Sequence, residues 1–369
     1  MSVFSLIEKI TRKRFTEAQK ASILGTVKQT CLGYAIDERL RERSASGGAV
    51  TALLLHLLES GQVDGALVTE GYVQDNRFKT RFLIATTREE LLRAQGSKYV
   101  RVNFNRDALP LLREFDGRLA VVALPCDTTN LRRICERDTA LNAKIQYVIT
   151  LFCGHNCEPV LTDHVIQQQL EKTGKQLAFY QHRVGHWRGE QLFVYTDGTD
   201  ERVKRETFKY LFNLYFFCQQ KCLHCHDQFG YHSDISAGDL WHSSMKEKPV
   251  KMTALVARTP AGEALLGDAI QHEVLQVEDL STDLLLEGHA RTIRGHYNLS
   301  ARAKAGKLLG FKIRDTLQAR VNLWDWLTAF MILFNYRLST KAWGRKLIFG
   351  MPKPIWTLYL YFFKGIESL

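Results

Sequence analysis

Proline is scarce in this chain, seven residues in 369, and nowhere do about 20 consecutive apolar residues occur, the length a bilayer span needs. The first shortage argues against an extended, proline-rich polymer; the second excludes a polytopic membrane protein. Low-complexity tracts and internal repeats are missing too, which removes solenoids and disordered linkers. No cysteine precedes Cys31, so a ferredoxin-like segment before that point has no thiolates to hold it. The opening residues, MSVFSLIEKITRKRF, place their few apolar side chains before the basic ones, with Glu8 between them. A secretory signal has the reverse order and a longer apolar stretch, so the body is expected in the cytoplasm. Neither a catalytic triad nor a carboxylate pair is evident.

What is present is ordinary in bulk and uneven in placement. Hydrophobic residues make up 45% and charged residues 24%, a soluble globular composition with room for one large domain or two. Eight cysteines in a reducing compartment read as thiols or metal ligands more than as disulfides. The net charge is +11, and from Ala301 onward 12 Lys/Arg stand against 3 Asp/Glu, so +9 of it lies in that last stretch. A basic tail on a near-neutral body points to a local contact surface, not to a nucleic-acid-binding protein. The expected division is residues 1–30 as a short amphipathic helix and linker, 31–295 as the body, and 296–369 as a basic, aromatic-rich helical extension.

Periodicity within the body alternates between strand and helix. Ser46-Gly47-Gly48 precedes a helical stripe of Val50, Leu53, Leu54, Leu57 and Leu58, and Gly65–Val68 then reads as a buried strand. Thr87 suits the N-cap of a helix ending at Gly96. LAVVALPCDTTNLRRI reads as a strand, a Pro-Cys turn and a helix from about Thr128; IQYVITLFCGHNCEP is a second strand, with Cys153 at its carboxyl end. Residues 177–210 suggest an antiparallel excursion, and a cysteine-rich loop follows. The fold class expected is α/β, mixed, with a partly parallel sheet and flanking helices. Sites in such sheets gather where loops leave the strand ends.

Cys222-x-x-Cys225 can point two thiolates at one metal or cluster edge. By itself the motif leaves three chemistries open. A dithiol switch wants a helix after the pair, and HDQFGYHSD starts one poorly. Zinc could recruit Cys218, His224 or His226. Cys126 and Cys153, both just past apolar strands, would complete four thiolates, the usual complement of a 4Fe–4S cluster. Against this, free cysteines are often just small buried hydrophobes.

The ordered strings SASGGAVTALLLHLLESGQVDGALV, QGSKYV, ALPCDTTNLRR, LFCGHNCEP, CLHCHD…SDISAGD and TALVART resemble the coenzyme F420 hydrogenase/dehydrogenase beta subunit family from about Cys31 to Gln271. Relatives include deazaflavin-oxidising subunits of hydrogenases and formate dehydrogenases, and 7-hydroxymethyl chlorophyll a reductase. The resemblance implies a 4Fe–4S cluster on Cys126, Cys153, Cys222 and Cys225, with FAD nearby, and leaves Cys157 and Cys218 as spare thiols. It also implies that Ser46, Gly47 and Gly48, together with Gly96, Ser97, Lys98 and Tyr99, line the flavin site. The activity implied is electron transfer between ferredoxin, another redox protein or a reduced deazaflavin and an organic small molecule. The alternative is a non-catalytic electron-transfer or accessory subunit of a membrane-associated system, such as polysaccharide biosynthesis. Asp127 stands where the family commonly has Gln, which weakens the carry-over of deazaflavin contacts.

In the extension, LWDWLTAFMILF and IWTLYLYFF are too short to span a bilayer, and Arg337, Lys341, Arg345 and Lys346 lie between them. Two readings stand: a peripheral contact at the inner face of the membrane, or helices packed on the body. Nucleic acid is not expected, because the aromatics cluster in apolar runs instead of alternating with the charges.

Overall fold

The computed structural model describes residues 15–369. The first 14 residues of the expected N-terminal helix lie outside that range. Within it, a helix runs over Glu17–Leu24, with Thr16 and Gln19 forming a reciprocal capping box.

Eleven strands are described: β1 (Gln29–Ala35), β2 (Gly65–Gln74), β3 (Arg77–Ala85), β4 (Leu119–Ala123), β5 (Ile145–Leu151), β6 (Leu177–Val184), β7 (Glu190–Tyr195), β8 (Asp200–Val203), β9 (Ile235–Gly238), β10 (Thr253–Ala257) and β11 (Leu275–Asp279). Eight of them form one sheet in the order β11-β1-β10-β9-β5-β4-β2-β3. The middle strands β9, β5, β4 and β2 run parallel, and the pairs outside them are antiparallel. The fold is therefore mixed α/β with a partly parallel sheet and flanking helices, as expected. The 177–210 excursion is a separate antiparallel sheet, β6-β7-β8. One expectation needs adjusting: the helix after β4 begins at Pro125, not near Thr128. Proline has no N–H to lose at the first helical position and its φ is already helical, so the Pro-Cys turn is the helix's first turn.

Burial explains which strands carry the site. β4 and the middle of β5 are covered on both faces, with Leu119, Ala120, Val121, Val148 and Ile149 fully inaccessible, so LAVVA of β4 reads as an unbroken apolar run. Their carboxyl ends lie side by side in the middle of the sheet, and the loops leaving them meet there.

The boundary expected at 295 falls inside the helix Thr282–Tyr297. Beyond it, helices Leu323–Thr340, Ala342–Gly350 and Lys353–Ser368 share one apolar core with Tyr180, Phe193, Phe208 and Phe216 of the body. Asn335 Nδ2 donates to the Leu214 carbonyl (2.8 Å), and the Phe217 amide donates to Ser339 Oγ (3.0 Å). These bonds fix the extension to the segment just before the cysteine pair. No described helix is long and apolar enough to cross a membrane.

Candidate redox site

Cys126 lies in the first turn of the helix Pro125–Cys135, directly after β4. Helix N-termini carry partial positive charge, which favours a thiolate there. Cys153 follows β5, and its amide donates to the Gln228 carbonyl (2.9 Å). Cys222 lies within the short 3-10 helix Gln220–His224, and Cys225 is its C-cap. That turn is brought to the sheet by backbone pairing: Cys157 bridges Cys218, Gln219 N donates to Asn156 O (2.9 Å), and Glu158 N donates to Phe217 O (2.8 Å). The segment after Cys153 and the segment before Cys222 are thus zipped together, and all four cysteines converge.

Electrostatics report the same convergence. Burial raises the Cys153 thiol well above its ordinary value, and repulsion from Cys222, Cys126 and Cys225 adds to the rise. Burial likewise pushes Cys225 up to about 12, with Cys222 contributing. Neutral thiols are favoured at Cys153 and Cys225 until a positive charge is placed beside them. A tetrahedral zinc, with Zn–S near 2.3 Å, holds its thiolates within about 4 Å of each other. Among the described residues, no three donors drawn from these cysteines, Cys218, His224 and His226 come within 4.8 Å of one another. Cys157 and Cys218 pack into the apolar core, and Cys31 and Cys135 are buried elsewhere.

Three polar residues surround the cysteines. Arg302, 1% exposed, comes from the C-terminal part of the chain. Its guanidinium donates to the carbonyls of Cys222 (3.5 Å), Cys225 and His296 (2.6 Å), clamping the loop from behind. The Asn156 amide donates to Cys222 Sγ (3.4 Å). Lys221 pairs with Asp127 (3.2 Å), and although burial pulls its ammonium down, Asp127 and the neighbouring thiols outweigh that and raise it.

Against Cys153 lies a cavity of about 410 Å³, within the range of small-molecule and cofactor sites. Ser46, Gly48, Gly96, Ser97, Lys98 and Tyr99 line it; Gly47 does not. Gly47 instead sits against the sheet, where a Cβ would come within 2.6 Å of the Gly33 carbonyl and 3.0 Å of the Lys251 carbonyl. Gly48 adopts φ 78° and begins the helix Ala49–Glu59 with no side-chain cap, so its first amides open on the cavity. Lys98 is half-buried: its Nζ donates to the carbonyls of Ala94 and Gln95 (3.1 Å for the latter), and desolvation lowers it to about 7.

The far wall is built from two buried histidines and an aspartate beside one of them. His155 is stacked between Phe212 (4.1 Å) and Tyr215 (4.3 Å), and burial lowers it to about 3. His289 bonds Gln228 (3.0 Å) and the Asp239 carbonyl (2.9 Å), and burial lowers it to about 4. Both imidazoles are neutral at physiological pH. Asp239 is held by Arg183, whose guanidinium lies over the Trp241 ring (5.0 Å). Asp234 is structural: it accepts from the Val148 amide (2.8 Å), Arg132 (3.0 Å) and Thr259 (2.7 Å). Gln95 Oε1, His155 Nε2 and Gln228 Oε1, all on residues of the cavity wall, have no protein partner.

Strand-end thiols beside a cofactor-sized cavity, both at the carboxyl edge of a parallel sheet, define a class of α/β proteins built to hold reactive groups in contact. Sequence comparison gives the family. "Coenzyme F420 hydrogenase/dehydrogenase, beta subunit N-term" matches residues 30–108, and the corresponding C-terminus matches 116–283. The chain belongs to this family.

The coenzyme F420 hydrogenase subunit beta of Methanothermobacter thermautotrophicus is 25% identical over 298 residues, 77% of this chain and 98% of that one. The coenzyme F420-dependent sulfite reductase of Methanocaldococcus jannaschii is 29% identical over 254 residues, 63% of this chain but 36% of the relative. A subunit beta of the F420-dependent formate dehydrogenase 1 of Methanococcus maripaludis is 27% identical, covering 64% of this chain and 57% of the relative. A chain of the F420-reducing [NiFe] hydrogenase complex from Methanosarcina barkeri shares the fold, with a TM-score of 0.62 at 18% identity over 80% of this chain and 98% of that one.

Proposed function

We propose that Cys126, Cys153, Cys222 and Cys225 hold a 4Fe–4S cluster, that the adjoining cavity holds FAD, and that the chain is an oxidoreductase. It would pass electrons between ferredoxin or another redox protein, or a reduced deazaflavin, and an organic small molecule. One observation carries this reading: Cys153 belongs both to the cysteine group and to the cavity wall. Two groups bound there would sit within electron-transfer contact. A flavin supplies two-electron exchange with organic molecules and one-electron exchange with a cluster.

The chain's own residues fit the cavity's share of that task. Uncapped amides at the start of Ala49–Glu59 suit a phosphate. Gln95 Oε1, His155 Nε2 and Gln228 Oε1 offer acceptors to a ring with N–H donors, and burying them without a ligand is costly. Tyr99, tilted against Phe208 (5.6 Å) with Arg205 above its ring (5.3 Å), provides an aromatic wall. The stacked, uncharged His155 orients without adding a proton. Coverage of nearly the full length of a hydrogenase beta subunit favours a second reading, an electron-transfer subunit docked to a larger complex. Turnover separates them: the enzyme reduces or oxidises a deazaflavin or small acceptor alone, the subunit only with its partner.

Anaerobically purified protein should carry about one FAD per chain, visible in the absorption spectrum beside the cluster. Lys98 adds a pH signature. Its ammonium is held near 7 by desolvation, and a bound phosphate favours the charged form. Binding then takes up a proton above that pH, so FAD affinity should fall as pH rises from about 7 to about 9. Lys98→Ala should weaken binding by roughly tenfold or more and flatten that dependence. Protein with intact iron but no affinity for FAD or FMN would remove the flavin half of this reading.

A further inference from the structure

The three C-terminal helices have a second face that the redox site does not use. Lys353–Ser368 buries Trp356, Leu360, Phe363 and Ile366 against the body, yet its outward residues are apolar as well. Ile355 is 50% exposed, Leu358 73% and Phe362 59%; at spacings of three and four they form one outward stripe. A helix apolar on both faces expects a cover on each. Ala342–Gly350 continues the pattern with Trp343 (65% exposed) and Leu347 (47%). On Leu323–Thr340, Leu323, Trp324 and Phe334 are exposed as well. Ten of the fourteen exposed large hydrophobic side chains among the described residues fall between 323 and 369. Scattered exposed hydrophobes are normal, but such a concentration marks an interaction surface.

Charge says what kind. Between residues 323 and 369 the only carboxylate side chains are Asp325 and Glu367. Asp325 is paired with Arg294 (3.2 Å), and Glu367 is buried, facing Arg291 (3.5 Å). Lys341, Arg345 and Lys346 are exposed, and no ion pair involving them is found among the described residues. Acids point in and bases point out. A second copy of the chain docked on this face by twofold symmetry would bring the same bases together, and no described helix is long and apolar enough to cross a membrane. An anionic lipid surface accepts both the apolar stripe and the cations.

We propose that the outward face of Leu323–Ser368 lies in the headgroup layer of an anionic membrane. The inference does not depend on the redox reading. Full-length protein should float with vesicles of equal parts phosphatidylglycerol and phosphatidylcholine, and not with phosphatidylcholine alone. Lys341→Glu with Lys346→Glu should weaken that binding by about tenfold or more. Leu358→Asp with Phe362→Asp should abolish it while leaving the thermal midpoint unchanged, because both side chains already face water. Equal binding by wild type and both variants, or no binding by a correctly folded wild type, overturns the proposal. So does a lipid-free dimer that Leu358→Asp dissociates, since a second copy would then be the cover.

Discussion

Serine at Cys222 or Cys225 should strip the protein of most of its iron. Anaerobically purified wild type is expected to be brown, with about four iron and four sulfide per chain, the content of a single 4Fe–4S cluster. Serine oxygen is a harder, less polarizable donor than thiolate, and here the loss falls on a pair whose loop is already pinned by Arg302. The loop cannot shift to recruit another thiol cheaply. Cys126→Ser and Cys153→Ser should give the same loss, because the ends of β4 and β5 fix both positions. Cys135→Ser should keep full iron, since that thiol lies in the core behind the sheet. Iron and sulfide analysis with visible and electron paramagnetic resonance spectra reads each outcome. Full iron in Cys126→Ala, paired with loss in Cys157→Ala or Cys218→Ala, would reassign the fourth ligand. Stoichiometric zinc without iron would end the cluster proposal.

Ending the chain before Asn322 should yield insoluble protein, not a smaller soluble body. The deleted helices bury Met331, Ile332, Leu333, Trp356, Leu360, Phe363 and Ile366. At roughly 1.5–3 kcal/mol for each fully buried large side chain, their removal costs on the order of 10 kcal/mol or more, comparable with the whole net stability of a typical domain. It also uncovers Phe208, Leu211, Phe216 and Phe217 of the body, and strands the Leu214 carbonyl and the Phe217 amide without Asn335 and Ser339. Expression of the 1–321 chain followed by fractionation tests this. A soluble truncated protein with an unchanged thermal midpoint would show that the body's core closes without them. Arg302→Ala probes the same coupling at one residue: losing a buried guanidinium from three carbonyls should cost about 3 kcal/mol or more, lowering the melting temperature and the iron content together.

Much of the fold was readable because its signals are local. Apolar runs of five to seven residues ending in Pro-Cys or Phe-Cys mark β4 and β5. Thr87 caps its helix by accepting from the Glu90 amide (3.3 Å), as its sequence context suggests. The β2–β3 hairpin went unread, although Asp75-Asn76 is a good signal: both residues take positive φ, the geometry of a tight two-residue turn. The family resemblance puts Gly47 with the cavity, and the structure does not. Its actual constraint, contact with the Gly33 and Lys251 carbonyls, comes from strands 14 residues before it and about 200 after it.

The sequence by itself determined the α/β class and the family, because strand ends, helix stripes and the ordered motifs are written in neighbouring residues. Only the tertiary structure decided that the four candidate thiols meet, that Cys153 also faces the cavity, and that Arg302, His155, Gln228 and His289 surround the site. It alone decided, too, that the C-terminal helices complete the core on one face while leaving the other apolar and basic. The physical reason is range. Hydrogen bonding along the chain and hydrophobic periodicity act over a few residues, whereas burial, desolvation and charge pairing depend on groups far apart in sequence, such as Arg302 and Cys222, 80 residues apart, that become neighbours only when the chain folds.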